Sequence, residues 1–91
     1  NYSQMEWRMT VVETGEEYDK PGVVTLEQGT EVSFLAKGYR DAAITLNDSL
    51  VAEGTVFGAI YTMTVGQDIT VNAAVQYGYA ILDITTADYT P

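Results

Sequence analysis

The sequence predicts an all-β fold, a small antiparallel β-sandwich-like module of about seven short strands. Val, Ile and Thr, the residue types that suit a pleated and half-buried surface, number 10, 5 and 12 in the chain. Apolar and polar residues alternate with a period of two in one segment after another, and no window carries the apolar stripe of an amphipathic helix. Eight glycines interrupt the chain repeatedly. Short strands separated by turns at this spacing are typical of a sandwich or small barrel.

The first part of the chain contains three predicted strands. Met5 to Val12 alternates apolar and polar side chains, which predicts a strand. The acidic segment 14–22 is rich in turn residues and is expected to be a surface loop. Val23 to Leu26 is the next strand, Gly29 supplies a turn with positive φ, and Thr30 to Lys37 alternates again.

The second part is predicted to contain two hairpins and a final strand. A strand from about Ala42 to Leu46 leads into Asn47 and Asp48, which both tolerate left-handed backbone and predict a two-residue hairpin turn before a strand at 49–51. Gly54 and Gly58 bracket a loop. The remaining predicted elements are a strand at Ala59 to Val65, a turn at Gly66 and Gln67, a strand at Ile69 to Gln76, and a last strand at about Tyr79 to Thr86.

The apolar positions of these alternating segments predict the core. Each of them lies on the face of its strand opposite the charged or hydroxyl side chains. The predicted core residues are Trp7, Met9, Val11, Val32, Phe34, Ile44, Leu46, Tyr61, Met63, Ile69, Val71 and Val75.

The composition excludes several classes of chemistry. The chain has no Cys and no His, which rules out Cys/His zinc sites, disulfides, CxxC redox centres and Ser-His or Cys-His nucleophiles. A net charge of −9 disfavours nucleic acid and anionic membrane surfaces as partners. A module of this size offers little room for a substrate cleft beside its core. We therefore expect no enzyme activity, no catalytic residues and no cofactor.

The chain is expected to be one domain, residues 1–91, cut from a longer protein. Ninety-one residues suffice for one hydrophobic core, and we find no signal peptide. No apolar stretch reaches the roughly 20 residues that cross a bilayer, so we expect no membrane insertion.

Two groups of residues are candidate binding sites. Glu16, Glu17 and Asp19 could offer oxygen ligands to Ca²⁺, but the spacing of an EF-hand loop is absent, and we favour the alternative of a solvated loop whose charge keeps the module soluble. The aromatic candidates are Tyr39, Tyr77 and Tyr79 together with Asp41, which could bind a glycan or a protein partner. The alternative is that the tyrosines simply pack within strands, where Tyr is common.

Four segments resemble the β-rich repeat modules of bacterial cell-surface proteins, in particular divergent repeats related to the internalin B-repeat. These segments are Gln28–Phe34 (QGTEVSF), Lys37–Tyr39 (KGY), Ile44–Asp48 (ITLND) and Tyr61–Ala73 (YTMTVGQDITVNA). The last is the most specific, and the match covers about residues 9–75. The strand at about 79–86 lies outside the pattern.

The chain departs from the repeat pattern at three positions. It has Ile44 where the family usually has an aromatic, Asp48 where it has Gly, and Val75 where it has Phe. Many of the same features also resemble bacterial immunoglobulin-like domains. The resemblance implies a non-catalytic spacer or adhesion-scaffold module, outside the cell or on its surface, whose partners are neighbouring domains of the same chain. The alternative function is a ligand-binding module that uses exposed tyrosines.

Overall fold

The computed structural model describes residues 5–38, 40–55, 57–76 and 79–86. Their strands are β1 (Met5–Val11), β2 (Glu17–Tyr18), β3 (Gly22–Gly38), β4 (Ala42–Leu46), β5 (Ser49–Gly54), β6 (Ala59–Gln76) and β7 (Tyr79–Thr86). In this part of the chain they form one sheet in the order β2-β1-β3-β6-β7-β4-β5. The predicted all-β class is confirmed. The sheet is mixed rather than antiparallel throughout, because β4 and β7 run parallel.

Two of the observed strands each combine two predicted strands. β3 has 17 residues and β6 has 18, and they pair along most of their length. The turn predicted at Gly29 is wrong: Gly29 has the expected positive φ, 91°, but the chain continues in the same direction through a bulge. There Leu26 faces Gln67 and Thr30 faces Val65, so that three residues of β3 oppose one of β6. The turn predicted at Gly66 and Gln67 is wrong as well, because β6 continues through it.

The paired strands β3 and β6 bend strongly at this bulge. A straight strand of the length of β6 would measure about 59 Å at the usual rise per residue, whereas the longest dimension of the molecule is 37 Å. Bulges bend the strand that carries them. β3 and β6 together form a two-stranded ribbon. Gly38 lies at one end of this ribbon, and Ala42 follows it within about 14 Å of chain. Ala42 pairs with Ala80, which lies at the other end of the ribbon. The two ends of the ribbon are therefore close together.

The bulge divides the curled sheet into two half-sheets, which contribute side chains to one hydrophobic core. The first half-sheet contains β2, β1, residues 30–38 of β3 and residues 59–65 of β6. The second contains residues 22–26 of β3, residues 67–76 of β6, β7, β4 and β5. Strands that are not neighbours in the sheet, such as β3 and β7, also come into contact.

The side chains between the half-sheets form the hydrophobic core. The predicted core residues are buried except Tyr61 and Val75, which are half-buried. Tyr61 packs against the core from its margin, and Val75 lies one residue before the end of β6. The core also contains six residues outside the predicted set, four of which are alanines: Ala36, Ala42, Ala59, Ala80, Leu82 and Ile84.

The predicted hairpin turn between β4 and β5 is confirmed. Asn47 and Asp48 have φ values of 49° and 69°, and Leu46 pairs with Ser49 across them. A two-residue turn with positive φ at both positions matches the twist of the flanking strands. The side chain of Asn47 also accepts a hydrogen bond from the backbone N–H of Thr86 at 3.1 Å, which ties the turn to β7.

We predict that Asn47→Ala lowers the free energy of unfolding by about 2 kcal/mol. Alanine adopts a left-handed backbone less readily than asparagine. The substitution also removes Oδ1, which accepts the hydrogen bond from the backbone N–H of Thr86. Urea denaturation measures the change. Asp48→Gly is the control, because glycine carries no penalty at positive φ and should leave the protein at least as stable. An Asn47→Ala protein as stable as the parent would contradict this role.

Candidate functional site

The three calcium candidates lie in the exposed segment around β2: Glu16 precedes the strand, Glu17 is part of it and Asp19 follows it. The N–H of Gly15 donates to the Val11 carbonyl and the N–H of Val11 donates to the Glu16 carbonyl, both at 2.8 Å, so the turn is closed by its own backbone. The side chains of Glu16, Glu17 and Asp19 are exposed. Within the described residues, no three acidic side chains are grouped closely enough to hold a metal ion. The calcium hypothesis therefore has no ligand cluster to support it and stays a prediction.

Glu16 instead interacts with the phenol of Tyr18. The hydrogen bond to Glu16 raises the pKa of Tyr18 above its ordinary value of 10.0, and desolvation and the negative charge of Glu16 act in the same direction. The neutral phenol is thus favoured in the folded protein. Its contribution to stability is complete below pH 10 and is lost as the pH rises through the raised pKa.

We predict that Glu16→Gln lowers the pKa of Tyr18 towards its ordinary value. Glutamine weakens the hydrogen bond that the phenol donates, since a neutral amide oxygen is a poorer acceptor than a carboxylate, and it removes the negative charge that opposes ionisation of the phenol. The pKa is read from the ring carbon resonances of Tyr18 in an NMR titration, assigned with Tyr18→Phe. Glu13→Gln is the control, since Glu13 is also an exposed acid of the same turn but is not among the causes of the shift. Equal pKa values in the parent and in Glu16→Gln would contradict the assignment.

The structure places two of the four aromatic-site candidates close together. The N–H of Ala80 donates to the carbonyl of Asp41 at 2.9 Å, so Asp41 and Tyr79 lie at the same end of the second half-sheet. Both are exposed, Tyr79 to 37%. Tyr39 and Tyr77 lie outside the described residues. A ligand site built on all four residues stays a prediction.

Two threonine–aspartate pairs connect neighbouring strands on the outside of the second half-sheet. The hydroxyl of Thr25 donates to Asp68 at 2.7 Å and joins β3 to β6. The hydroxyl of Thr45 donates to Asp83 and joins β4 to β7. These two acids therefore take part in cross-strand pairs, which make small contributions to the stability of a sheet.

The outer face of the first half-sheet carries charged, hydroxyl and aliphatic side chains that are exposed or half-buried. We define the outer face as the side of this half-sheet that points away from the core. Strand pairing arranges its residues in rows that cross the strands. From one end to the other the rows are Glu6 and Lys37; Arg8, Leu35 and Ile60; Glu17, Thr10, Ser33 and Thr62; and Val12, Glu31 and Thr64.

Arg8 is held at the middle of the outer face by two carboxylates. Its Nη1 lies 3.2 Å from Oε2 of Glu6, and its Nε lies 3.7 Å from Oε2 of Glu17. All three side chains are partly exposed, so each ion pair contributes little to stability. Their main effect is on geometry, because contacts from both sides restrict the positions that the guanidinium can take.

A shallow depression of about 390 Å³ lies on this face beside Arg8. Apolar and hydroxyl side chains line it together: Arg8, Thr10, Val12, Ser33, Leu35 and Ile60. Alternation predicts that Arg8 and Thr10 lie on the polar face of β1. It also predicts that Ser33 and Leu35 lie on the face of β3 that points away from the core. It did not indicate that these residues lie side by side, since their contact depends on the order of the strands.

Comparisons with models of protein families, with curated proteins and with solved structures find no match to this chain. Within the described residues, no helix has the length and apolar character needed to cross a membrane. The resemblance to bacterial surface repeats thus rests on the sequence motifs given above.

Proposed function

We propose that this module is a non-catalytic structural spacer or adhesion scaffold of a bacterial extracellular or cell-surface protein. Its role is to hold neighbouring domains of the same chain at a defined separation. The proposal of a bacterial surface setting comes from the resemblance to the repeat modules. The mechanical role is supported by one observation about the sheet: β3 and β6 run without interruption through both half-sheets.

Continuous strands make the two half-sheets one mechanical unit. If the turns predicted at Gly29 and Gly66 were present, each half-sheet could separate from the other at flexible loops. Instead, backbone pairs flank the bulge on both sides, at Leu26 and Gln67 and at Thr30 and Val65. A relative movement of the halves would break these pairs and expose the core between them, which makes the module stiff.

The core supports the same role because both half-sheets contribute to it. Met9 and Phe34 come from the first half-sheet, and Ile44, Ile69 and Leu82 come from the second. Neither half buries its apolar face alone, so we expect them to fold and unfold together. A spacer requires this behaviour, because a half that unfolded separately would change the distance between the flanking domains.

Equilibrium unfolding tests this proposal. We expect the urea transition of Trp7 fluorescence, which reports on the first half-sheet, to coincide with the loss of amide NMR signals from Leu82 and Ile84 in the second. Mechanical pulling on a tandem array of the chain should likewise extend each copy in a single step. A second half-sheet that unfolds at lower urea, or two extension steps per copy, would rule out a rigid spacer.

A further inference from the structure

We propose that the outer face of the first half-sheet binds a neutral saccharide, with a sugar ring against Leu35 and Ile60 and its hydroxyl groups against Arg8 and the acids beside it. This is a function in addition to the spacer role and is independent of it. It also uses a different surface from Asp41 and Tyr79, which lie at the end of the second half-sheet.

The polar groups around Arg8 suit a pair of adjacent hydroxyls. Within the described residues, the contacts of Arg8 engage Nη1 and Nε, so the donors of Nη2 are available to a ligand. Glu6 and Glu17 each use Oε2 and keep a second carboxylate oxygen as an acceptor. A hydroxyl both donates and accepts, so neighbouring sugar hydroxyls can bond to the guanidinium and to a carboxylate at the same time.

Apolar side chains next to this polar group provide a surface for the C–H face of a sugar ring. Leu35 and Ile60 are directly paired across β3 and β6, in the same row as Arg8. Ile60 is 66% exposed and Val12 is 48% exposed, although both are aliphatic. Covering them with a ring removes apolar surface from water, which is favourable. The hydroxyls of Thr10 and Ser33 line the depression in the next row.

The charge of the face and of the whole chain disfavours an anionic ligand. Two cations, Arg8 and Lys37, and three acids, Glu6, Glu17 and Glu31, give it a net charge of −1 out of the −9 of the whole chain. An anionic ligand would be repelled by the rest of this acidic molecule. The depression of about 390 Å³ falls in the lower part of the size range of small-molecule sites.

NMR titration of the ¹⁵N-labelled chain tests the proposal. The probes are maltose, cellobiose, lactose and methyl α-mannopyranoside, each added to about 20 mM because an open site of this kind is expected to bind in the millimolar range. We expect at least one of these probes to shift the amide resonances of Arg8, Thr10, Ser33 and Leu35. The resonances of β4 and β7 should stay in place.

Variants identify the groups responsible. Arg8→Gln removes the charged donors and Thr10→Val removes one hydroxyl with little change in shape, and each should weaken binding at least threefold. Thr85→Val is the matched control, because it makes the same change at an exposed position of the second half-sheet and should leave binding unaltered. Circular dichroism verifies that each variant is folded.

Three results would overturn the proposal. The first is that none of the four probes moves the resonances of the outer face. The second is that shifts persist unchanged in both Arg8→Gln and Thr10→Val. The third is that tetralysine, a basic peptide added as a separate control, produces the same shifts as the saccharides and that both sets of shifts disappear in high salt, which would indicate general attraction to an acidic protein.

Discussion

Phe34→Ala will lower the free energy of unfolding by about 3–5 kcal/mol. The Phe34 side chain is completely buried and lies between Met9 of β1 and Tyr61 of β6, its partners in the neighbouring strands. Alanine would leave a cavity where the two half-sheets meet, and neither can collapse into it without disturbing the strand pairs. A domain of this length has a total stability of roughly 5–14 kcal/mol, so the loss is a large part of it. Urea denaturation followed by Trp7 fluorescence measures it.

The control for Phe34 is the only other phenylalanine of the chain. Phe57 is 84% exposed in the segment between β5 and β6. Phe57→Ala makes the same chemical change without opening a cavity, so its effect should stay within about 0.5 kcal/mol. Similar losses for the two variants would mean that Phe34 does not occupy the centre of the core.

Alternation along the chain was sufficient to predict most of the residues that form strands and most of the core. The side chains of β1 and β7 alternate with a period of two, and Trp7, Met9 and Val11 of β1 are buried as expected, whereas the buried residues of β7 were not in the predicted core. The Asn47–Asp48 turn was also predictable, since it depends on the local backbone preferences of two adjacent residues. These features depend on short-range sequence and need no knowledge of which strands become neighbours.

Glycine positions predicted the structure less well than alternation did, because glycine occurs both in turns and in bulges. A positive φ at Gly29 suits a turn and a bulge equally well, and the local sequence does not indicate which one forms. The outcome is decided by the pairing of residues 22–26 with residues 67–71, far away along the chain. Here that pairing favours continuous strands. Gly29, which was expected to lie in a turn that reverses the chain, instead lies in the bulge where β3 and β6 bend.

For the outer face, the sequence predicts on which side of its own strand each residue lies, but not which residues of different strands lie next to each other. Thr10, Ser33 and Thr62 each lie opposite the core in their own strands, which alternation indicates. Their arrangement in one row follows from the order β2-β1-β3-β6, which joins segments that are distant in sequence. The contact of Arg8 with Glu17 likewise depends on β2, a strand of two residues within a segment expected to be a loop.

Gly54→Ala is predicted to destabilise the protein by about 3 kcal/mol, at the upper end of the usual effect of overpacking. A Cβ at Gly54 would overlap the carbonyl group of Gly58 and would lie 2.7 Å from the backbone N of Ala59. These are backbone atoms at the start of β6, so no side-chain rotation can relieve the overlap. Because Ala59 is buried in the core and pairs with Ala36, a shift there also disturbs β3.

The control separates steric overlap from backbone strain. Gly15 has a φ of 77°, and a Cβ at this position meets no atom within 4 Å. Gly15→Ala should therefore cost only the penalty of a left-handed alanine, about 1 kcal/mol. Urea denaturation of both variants gives the comparison. If Gly54→Ala lowers the free energy of unfolding no more than Gly15→Ala does, the end of β5 does not pack closely against Gly58. The larger loss at Gly54 would instead establish that close contact between two backbones, rather than glycine flexibility, is what position 54 requires.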